Sequence, residues 1–368
     1  MIRIASLSKT PAESMRVLIC GGGVIGASIA YFLSCRGIAA TVIERTGLAC
    51  AASGKAGGFL ALDWCDSTPL EALARRSFAL HTRLAEEIGG EWDYRRLTTY
   101  GGSAGFRRRG AANVIDWLSA GVTISQRLGS TETTAQVHPA KFTGAMMRTA
   151  QARGAELRFG QITGVVHRNG RVAGVDVNGE TVEGDAVVIA MGPWSILAAR
   201  WLPLPAVYGL KGHSLVFETG TAISAEALFL EYREASGEMQ TPELFARADG
   251  TVYVCAISSG SPLPIDPAAV TPDPGAIERL HRMCGNLSPT LGAARVLARQ
   301  ACYRPVTRDG LPLIGPVAGV EAAYVATGHS VWGILNAPAT GEAMTELITD
   351  GAARHVDLSP FDPARLSL

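Results

Sequence analysis

Three glycines at fixed spacing, Gly21, Gly23 and Gly26 in VLICGGGVIGASIAYFLSCRG (residues 17–37), carry the first legible chemistry of the chain. An apolar, strand-like run precedes them and a helical pattern follows, the context in which G-x-G-x-x-G holds a dinucleotide. Gly21 permits the tight turn, Gly23 lets a pyrophosphate approach the backbone, and Gly26 lets helix and strand pack closely. The anion then rests on the helix N-terminus, among the first-turn residues Val24 and Ile25, where free N–H groups and the dipole favour negative charge. A second apolar run, 39–43, ends in Glu44-Arg45, and Glu44 stands at a distance from the glycines that suits a ribose hydroxyl pair. These features alone leave a flavin and a nicotinamide dinucleotide equally open.

Other candidates follow in order. Between Gly47 and Gly58 the residues are small or polar apart from Leu48, which suits backbone lying against a planar group, and Lys55 is the one charge among them. Lys55 either approaches a ligand or sits in a solvated loop. A solid apolar run, 186–190, feeds Met191-Gly192-Pro193-Trp194, the position where a doubly wound sheet presents ligand contacts.

The bulk of the chain sets limits. Of 368 residues 47% are hydrophobic and 18% charged, with 33 basic residues against 33 acidic ones, which argues against nucleic acid or an anionic membrane as partner. Seven dispersed cysteines without a C-x-x-C pair argue for a reducing compartment and against a disulfide framework or a metal site. The expected location is cytoplasmic, with organellar targeting left open by the mixed, mildly basic residues 1–15. Residues 17–35 are uncharged and long enough to mimic a membrane span, yet their glycines occupy nucleotide-fold positions.

Helices are expected over 70–88, 112–119, 140–153, 276–284 and 334–348, the last with Pro338 near its start. Asn169-Gly170 and Asn178-Gly179 are hairpin turns, so 156–159, 164–168, 171–177 and 181–183 read as one antiparallel patch. Further strands are expected over 214–217, 228–232, 244–246, 252–256 and 323–326. Arg107–Arg109 reads as a solvated turn, and Cys302-Tyr303-Arg304-Pro305 as the start of a loop.

Four segments in this order, VLICGGGVIGASIAYFLSCRG, VVIAMGPWS, CYRPVTRDGLPLIG and YVATGHSVWGILNAPATGEAMTELI, resemble the D-amino-acid-oxidase-like FAD oxidoreductases, the group of glycine oxidase and monomeric sarcosine oxidase. SGKAGGFLALDWC and YRRLTTY are closer still to a less characterised plant and fungal branch, one fungal member of which is connected with endosomal recycling. The resemblance implies an α/β fold: a Rossmann-type FAD-binding domain interleaved with a mainly antiparallel α+β substrate domain. It places FAD binding in 16–95, 137–200 and 300–350, the substrate domain in 96–136 and 201–299, an extension at 1–15 and a tail at 351–368.

Site roles follow from the resemblance, position by position. Gly21, Gly23 and Gly26 with Val24 and Ile25 take the FAD pyrophosphate, Glu44 the ribose, Arg45 the flank of the adenine and Ile162 the adenine through its backbone. Ala52, Ser53, Gly54 and Lys55 run beside the flavin. Ala190, Gly192 and Trp194 close a second nucleotide contact. Gly328 and the helix start at Gly333, Ile334 and Leu335 meet the flavin's pyrimidine edge, where a helix N-terminus favours the charge of the reduced ring. Arg304 stands where glycine-oxidase-like enzymes keep the arginine that forks onto a substrate carboxylate, or else it pairs with Asp309 or another acid of this loop. Cys302 aligns with the cysteine that carries a thioether to flavin in sarcosine-oxidase-like enzymes, or is a buried small thiol. His329 and Trp332 precede the last helix as candidates for flavin tuning and substrate shape, or as packed core residues. Lys211 and His213 open a second-domain strand and are candidates to face the flavin.

The activity so implied is oxidation of a C–N bond in an amine or amino acid. Hydride passes to flavin N5, water hydrolyses the imine, and O2 reoxidises the flavin to give H2O2. Non-covalent FAD, a small-molecule substrate and no metal complete the expectation. Two alternatives stay open: a dehydrogenase using a quinone or protein acceptor, and a sorting or interaction flavoprotein with structural FAD.

Overall fold

A computed structural model describes residues 15–105 and 115–366. The extension expected at 1–15 (Met15 apart), the Arg107–Arg109 turn and the first part of the expected 112–119 helix lie outside the described residues. Residues 115–119 form turns rather than helix.

The N-terminal glycine motif sits at the centre of a six-stranded sheet. Val17–Cys20 is flanked in parallel by Ala186–Ile189 on one side and Ala40–Glu44 on the other; Ala323–Thr327 adds to the former, and Leu313–Pro316 closes that edge antiparallel. Val17–Cys20 and Ala186–Ile189 are buried along their whole length, which is why they read as continuous apolar runs rather than alternating ones. One face carries the helices Val24–Cys35, Pro139–Ala152 and Gly333–Asp350 in a shared core. The other face packs Leu18, Cys20, Val187 and Ile189 against Val172, Val175 and Val177 of a three-stranded antiparallel sheet.

That smaller sheet corrects one expectation. It contains Ile162–Arg168, Arg171–Val177 and Glu180–Glu183 only, while Glu156–Phe159 leaves it to pair in parallel with Ala40–Glu44 at the edge of the main sheet. The Asn-Gly turns fix the two hairpin connections but carry no information on a strand that precedes them.

A second, eight-stranded sheet runs in the order Arg295–Val306, Tyr208–Glu218, Thr251–Ser259, Glu243–Ala246, Glu226–Arg233, Thr98–Ala104 and Val122–Gly129, with Met239–Gln240 beside Glu226–Arg233. One of its faces is covered by the helix Ala276–Leu287 through Ile277, Leu280, Met283 and Leu287. The other looks toward the six-stranded sheet. Residues 302–305, expected as loop, are instead part of the twelve-residue strand Arg295–Val306, paired to Tyr208–Glu218 throughout.

The helix Gly333–Asp350 runs unbroken through an internal proline, Pro338. Pro338 offers no N–H to Ile334, and the Ala339 N–H turns away to Ser77 Oγ at 3.1 Å. The carbonyls left over, Ile334 and Leu335, both accept from His81 Nε2 at 3.0 and 3.2 Å. Ser77 and His81 lie one turn apart on Glu71–Ile88, so a single helix face supplies both sets of partners. Burial holds the His81 pKa down at about 4, which keeps the ring neutral. The first turn of the helix is thereby fixed in direction, and it points into the site. No helix among the described residues is long and apolar enough to cross a membrane.

Candidate active site

A cavity of about 420 Å³ lies between the C-terminal ends of the parallel strands and the face of the eight-stranded sheet opposite the helix Ala276–Leu287. Its floor is glycine by necessity. Gly21 has φ +116°, and a Cβ there would stand 2.5 Å from the Ala190 carbonyl oxygen. A Cβ on Gly26 would stand 2.0 Å from the Gly21 carbonyl oxygen, so Gly26 lets helix and turn meet and does not itself line the cavity. Gly23 does line it, at an ordinary φ of −79°, as N-cap of Val24–Cys35. The first-turn N–H groups of that helix have no intrahelical acceptors; Val24 N–H is taken by Ser53 Oγ at 2.9 Å, and Val24 and Ile25 face the cavity. No acid lies in the first turn to compete with an anion.

Glu44 lines the same end, and its carboxylate also fastens the loop. Oε2 accepts Gly22 N–H at 2.7 Å and Oε1 accepts Thr46 N–H at 2.8 Å. Arg45 and Ile162 are beside it, with Arg45 Nη1 donating to the Ile265 carbonyl at 3.2 Å. Ala52, Ser53 and Lys55 form the next stretch of wall. Gly54 stands behind it as a packing glycine, since a Cβ there would meet the Ala49 carbonyl oxygen at 2.1 Å. Lys55 is half-buried rather than solvated, and its Nζ donates to the Ala301 carbonyl at 3.2 Å.

Opposite, Ala190, Gly192 and Trp194 face in, with Trp194 Nε1 held by the Pro264 carbonyl at 2.8 Å. Gly328, His329, Gly333 and Ile334 complete this side. His329 is 3% exposed with Nε2 on Thr340 Oγ1 at 3.0 Å, and burial drives its pKa to about 3. It is a neutral ring, so the positive potential here comes from the helix start, whose first turn also lacks acids. Besides Gly26 and Gly54, two further expected positions fall outside the cavity. Leu335 is 1% exposed in the helix core. Trp332 turns its ring edge-on to Trp64 at 6.5 Å, joining an aromatic cluster with Phe59 and Phe229. The 3-10 turn Ser330–Trp332 directs it there.

The remaining wall comes from the eight-stranded sheet. Arg304 extends across a neighbouring strand: a Cβ on Gly212 would sit 3.4 Å from its Nη2, and Nη1 reaches Ser258 Oγ at 3.3 Å one strand further on. Gly212 is therefore the notch through which the guanidinium crosses. Ser258 meets it because Ile257 is a bulge with φ +59°, which brings Ser258 to the same face as Cys255. His213 Nδ1 donates to the Ile257 carbonyl at 2.7 Å, and its Nε2 accepts Asp273 N–H at 3.0 Å, so both ring nitrogens serve the bulge and its support. Lys211 is 6% exposed and tied to Asp273 at 2.6 Å rather than turned to the cavity. Asp309, the other expected partner of Arg304, pairs instead with Arg365 at 2.8 Å. Among the described residues no carboxylate lies within ion-pair distance of Arg304.

Glu243, Tyr253 and Cys255 also line this wall, and none is singled out by the sequence reading. Glu243 and Cys255 are directly opposite in register, and Cys255 Sγ–H donates to Glu243 Oε2 at 3.4 Å. Tyr253 Oη donates to the Lys55 carbonyl at 3.0 Å. Alternation along each strand was the available signal, but the bulge at Ile257 changes which residues face in. Cys302 lines the cavity as well; burial pushes its thiol up, while the Arg304 and Lys55 charges pull it down.

This arrangement fits FAD: an acid at one end, a helix N-terminus free of acidic residues next, then a small-residue loop and a second helix N-terminus beyond. No cluster of histidines, cysteines and acids suited to a metal occurs among the described residues.

Comparison with known proteins points the same way. The family model described as FAD dependent oxidoreductase (DAO) matches residues 16–347. C1F5.03c of Schizosaccharomyces pombe, named only as an oxidoreductase, is 28% identical over 96% of this chain and 98% of its own. Glycine oxidase of Geobacillus kaustophilus is 28% identical over 95% of this chain and 96% of its own. A crystal structure of glycine oxidase from that organism superposes with a TM-score of 0.80 at 25% identity, covering 96% of this chain and 99% of that one. The chain belongs to the DAO family of FAD-dependent oxidoreductases.

Proposed function

We propose that the protein oxidises the C–N bond of an amino acid or related amine, with O2 as the electron acceptor and FAD held without a covalent bond. The observation that carries this reading is Arg304, laid through the Gly212 notch into the cavity with only Ser258 Oγ as its side-chain partner among the described residues. A half-buried planar guanidinium with donors to spare is matched to a carboxylate. The name of the Geobacillus relative, a glycine oxidase, supports the same substrate chemistry.

When bound, FAD supplies the two-electron oxidation and the return of those electrons to the acceptor. The chain supplies the rest. Gly23, Val24, Ile25 and Glu44 hold the pyrophosphate and ribose; the Ala52–Ser53–Lys55 wall and the Gly333 helix start hold the ring. Arg304 binds and orients the carboxylate, while Tyr253, Trp194 and the apolar wall behind them exclude water. In this reading the six-stranded sheet region is the FAD-binding domain, and the eight-stranded sheet bears the substrate.

Cys302 stays a thiol in this account, since burial favours the neutral form and a thiol is a poor nucleophile. Acid precipitation of the purified yellow protein is expected to leave the colour in the supernatant; colour in the pellet that Cys302→Ser releases would place a thioether at Cys302, since Cys50 and Cys255 line the cavity too. The O2 assignment is tested by peroxide release in air on amino acids, N-methyl amino acids and plain amines. Flavin that is reduced by substrate yet yields no peroxide would assign a quinone or protein acceptor instead.

A further inference from the structure

Glu243 is a carboxyl group on the cavity wall whose partner is a thiol. It begins the strand Glu243–Ala246, two strands from Tyr208–Glu218 and its Gly212 notch, and Cys255 Sγ–H at 3.4 Å is its one side-chain hydrogen bond among the described residues. That is a weak donor for a carboxylate. No Lys, Arg or His nitrogen lies within ion-pair distance of it among the described residues. The nearby cations are engaged elsewhere: Lys55 on the Ala301 carbonyl, Lys211 on Asp273, and Arg247 on the Ala56 carbonyl and over the Tyr253 ring. Burial raises the Glu243 pKa above the usual carboxylate range, and the Arg304 charge offsets only part of that rise, since Arg304 turns its Nη1 to Ser258; a cationic ligand beside Glu243 would favour its ionised form. A wall that sets one carboxyl and one guanidinium on a single sheet face, each short of a charged partner, is complementary to a ligand carrying both charges.

We infer that Glu243 is the recognition site for the substrate's cationic nitrogen, with Arg304 taking the carboxylate, so that the preferred substrates are zwitterionic amino acids. This rests on the amino-acid reading above and extends it to a second contact. A simple carboxylic acid leaves Glu243 unpaired and a simple amine leaves Arg304 unpaired. Either half therefore binds more weakly than the whole.

The test uses the FAD-loaded protein and binding rather than turnover. Calorimetry or perturbation of the flavin spectrum gives Kd for glycine, N-methylglycine, leucine, propylamine and propanoate with the wild type and with Glu243→Gln, a variant that keeps shape and loses the charge. The expected result is a loss of about tenfold or more for the four nitrogen-bearing ligands and an unchanged or tighter Kd for propanoate. Glu243→Asp should restore part of the nitrogen affinity. Three results overturn the inference: nitrogen ligands that keep their wild-type Kd in Glu243→Gln, propanoate weakened as much as they are (which would make Glu243 a support for Arg304), or a wild type that binds none of them better than propanoate. Failure of the oxidase reading shows separately, as ligands that bind without reducing the flavin.

Discussion

Replacing Gly23 with valine is expected to give a folded, colourless protein. Gly23 holds an ordinary backbone conformation at φ −79°, and its one close Cβ contact, 3.2 Å to Ser53 Oγ, is tight but falls on a side-chain hydroxyl that has only to give by a few tenths of an ångström, so the turn itself survives the change. The branches of the valine project into the cavity at the helix N-terminus, where the pyrophosphate must touch the backbone. The Gly21 and Gly26 positions make poorer tests. At Gly21 a side chain meets the Ala190 carbonyl at 2.5 Å with φ at +116°, and at Gly26 it meets the Gly21 carbonyl at 2.0 Å, so loss of flavin there would be confounded with loss of fold. Flavin content per protein, read with circular dichroism as the control, decides the matter. Stoichiometric flavin in Gly23→Val would remove the motif from the cofactor.

Arg304→Ala is expected to lower kcat/KM by about two orders of magnitude for amino acids and to leave plain amines almost unaffected. The size follows from losing a charge-assisted contact to a carboxylate in a half-buried site, roughly 3 kcal/mol, at about 1.4 kcal/mol per factor of ten. Most of the loss should appear in KM if the contact is made equally in the ground and transition states. Gly212→Leu should mimic it, because the new side chain occupies the path of the guanidinium, whose Nη2 already lies 3.4 Å from a Cβ at that position. Steady-state kinetics on a matched amino acid and amine check both. Equal losses on the two substrates would take Arg304 out of the carboxylate role.

The legible part of this protein is the part encoded by local order. The strand, glycines and helix of residues 17–35 form a unit that needs no distant partner to declare itself, and Glu44 follows at a spacing set by one helix and one strand. The wall opposite is written differently. Arg304 was visible as a residue but not as part of a strand, because 302–305 with its proline resembles a loop; the strand Arg295–Val306 exists through pairing with residues nearly a hundred positions away. Glu243 and Cys255 become neighbours only in the sheet register, and the Ile257 bulge that aligns Ser258 with them has no sequence signature. Trp332 shows the converse. Its place in a glycine-rich loop before the flavin-side helix pointed to the substrate, while its ring belongs to the packing around Trp64. The patch of Ser77 and His81 over the backbone groups freed by Pro338 is likewise a tertiary event, although the proline itself marked where help would be needed.

Anaerobic mixing of the wild-type yellow protein with amino acids, N-methyl amino acids and plain amines tests the central claim most directly. C–N oxidation predicts that the oxidised flavin band bleaches with at least one of these classes, fastest with ligands that carry both a carboxylate and a nitrogen, and that admitting air restores the colour with release of peroxide. A flavin that stays fully oxidised across the whole panel, in protein that binds those ligands, would contradict the claim and leave FAD a structural element of the fold.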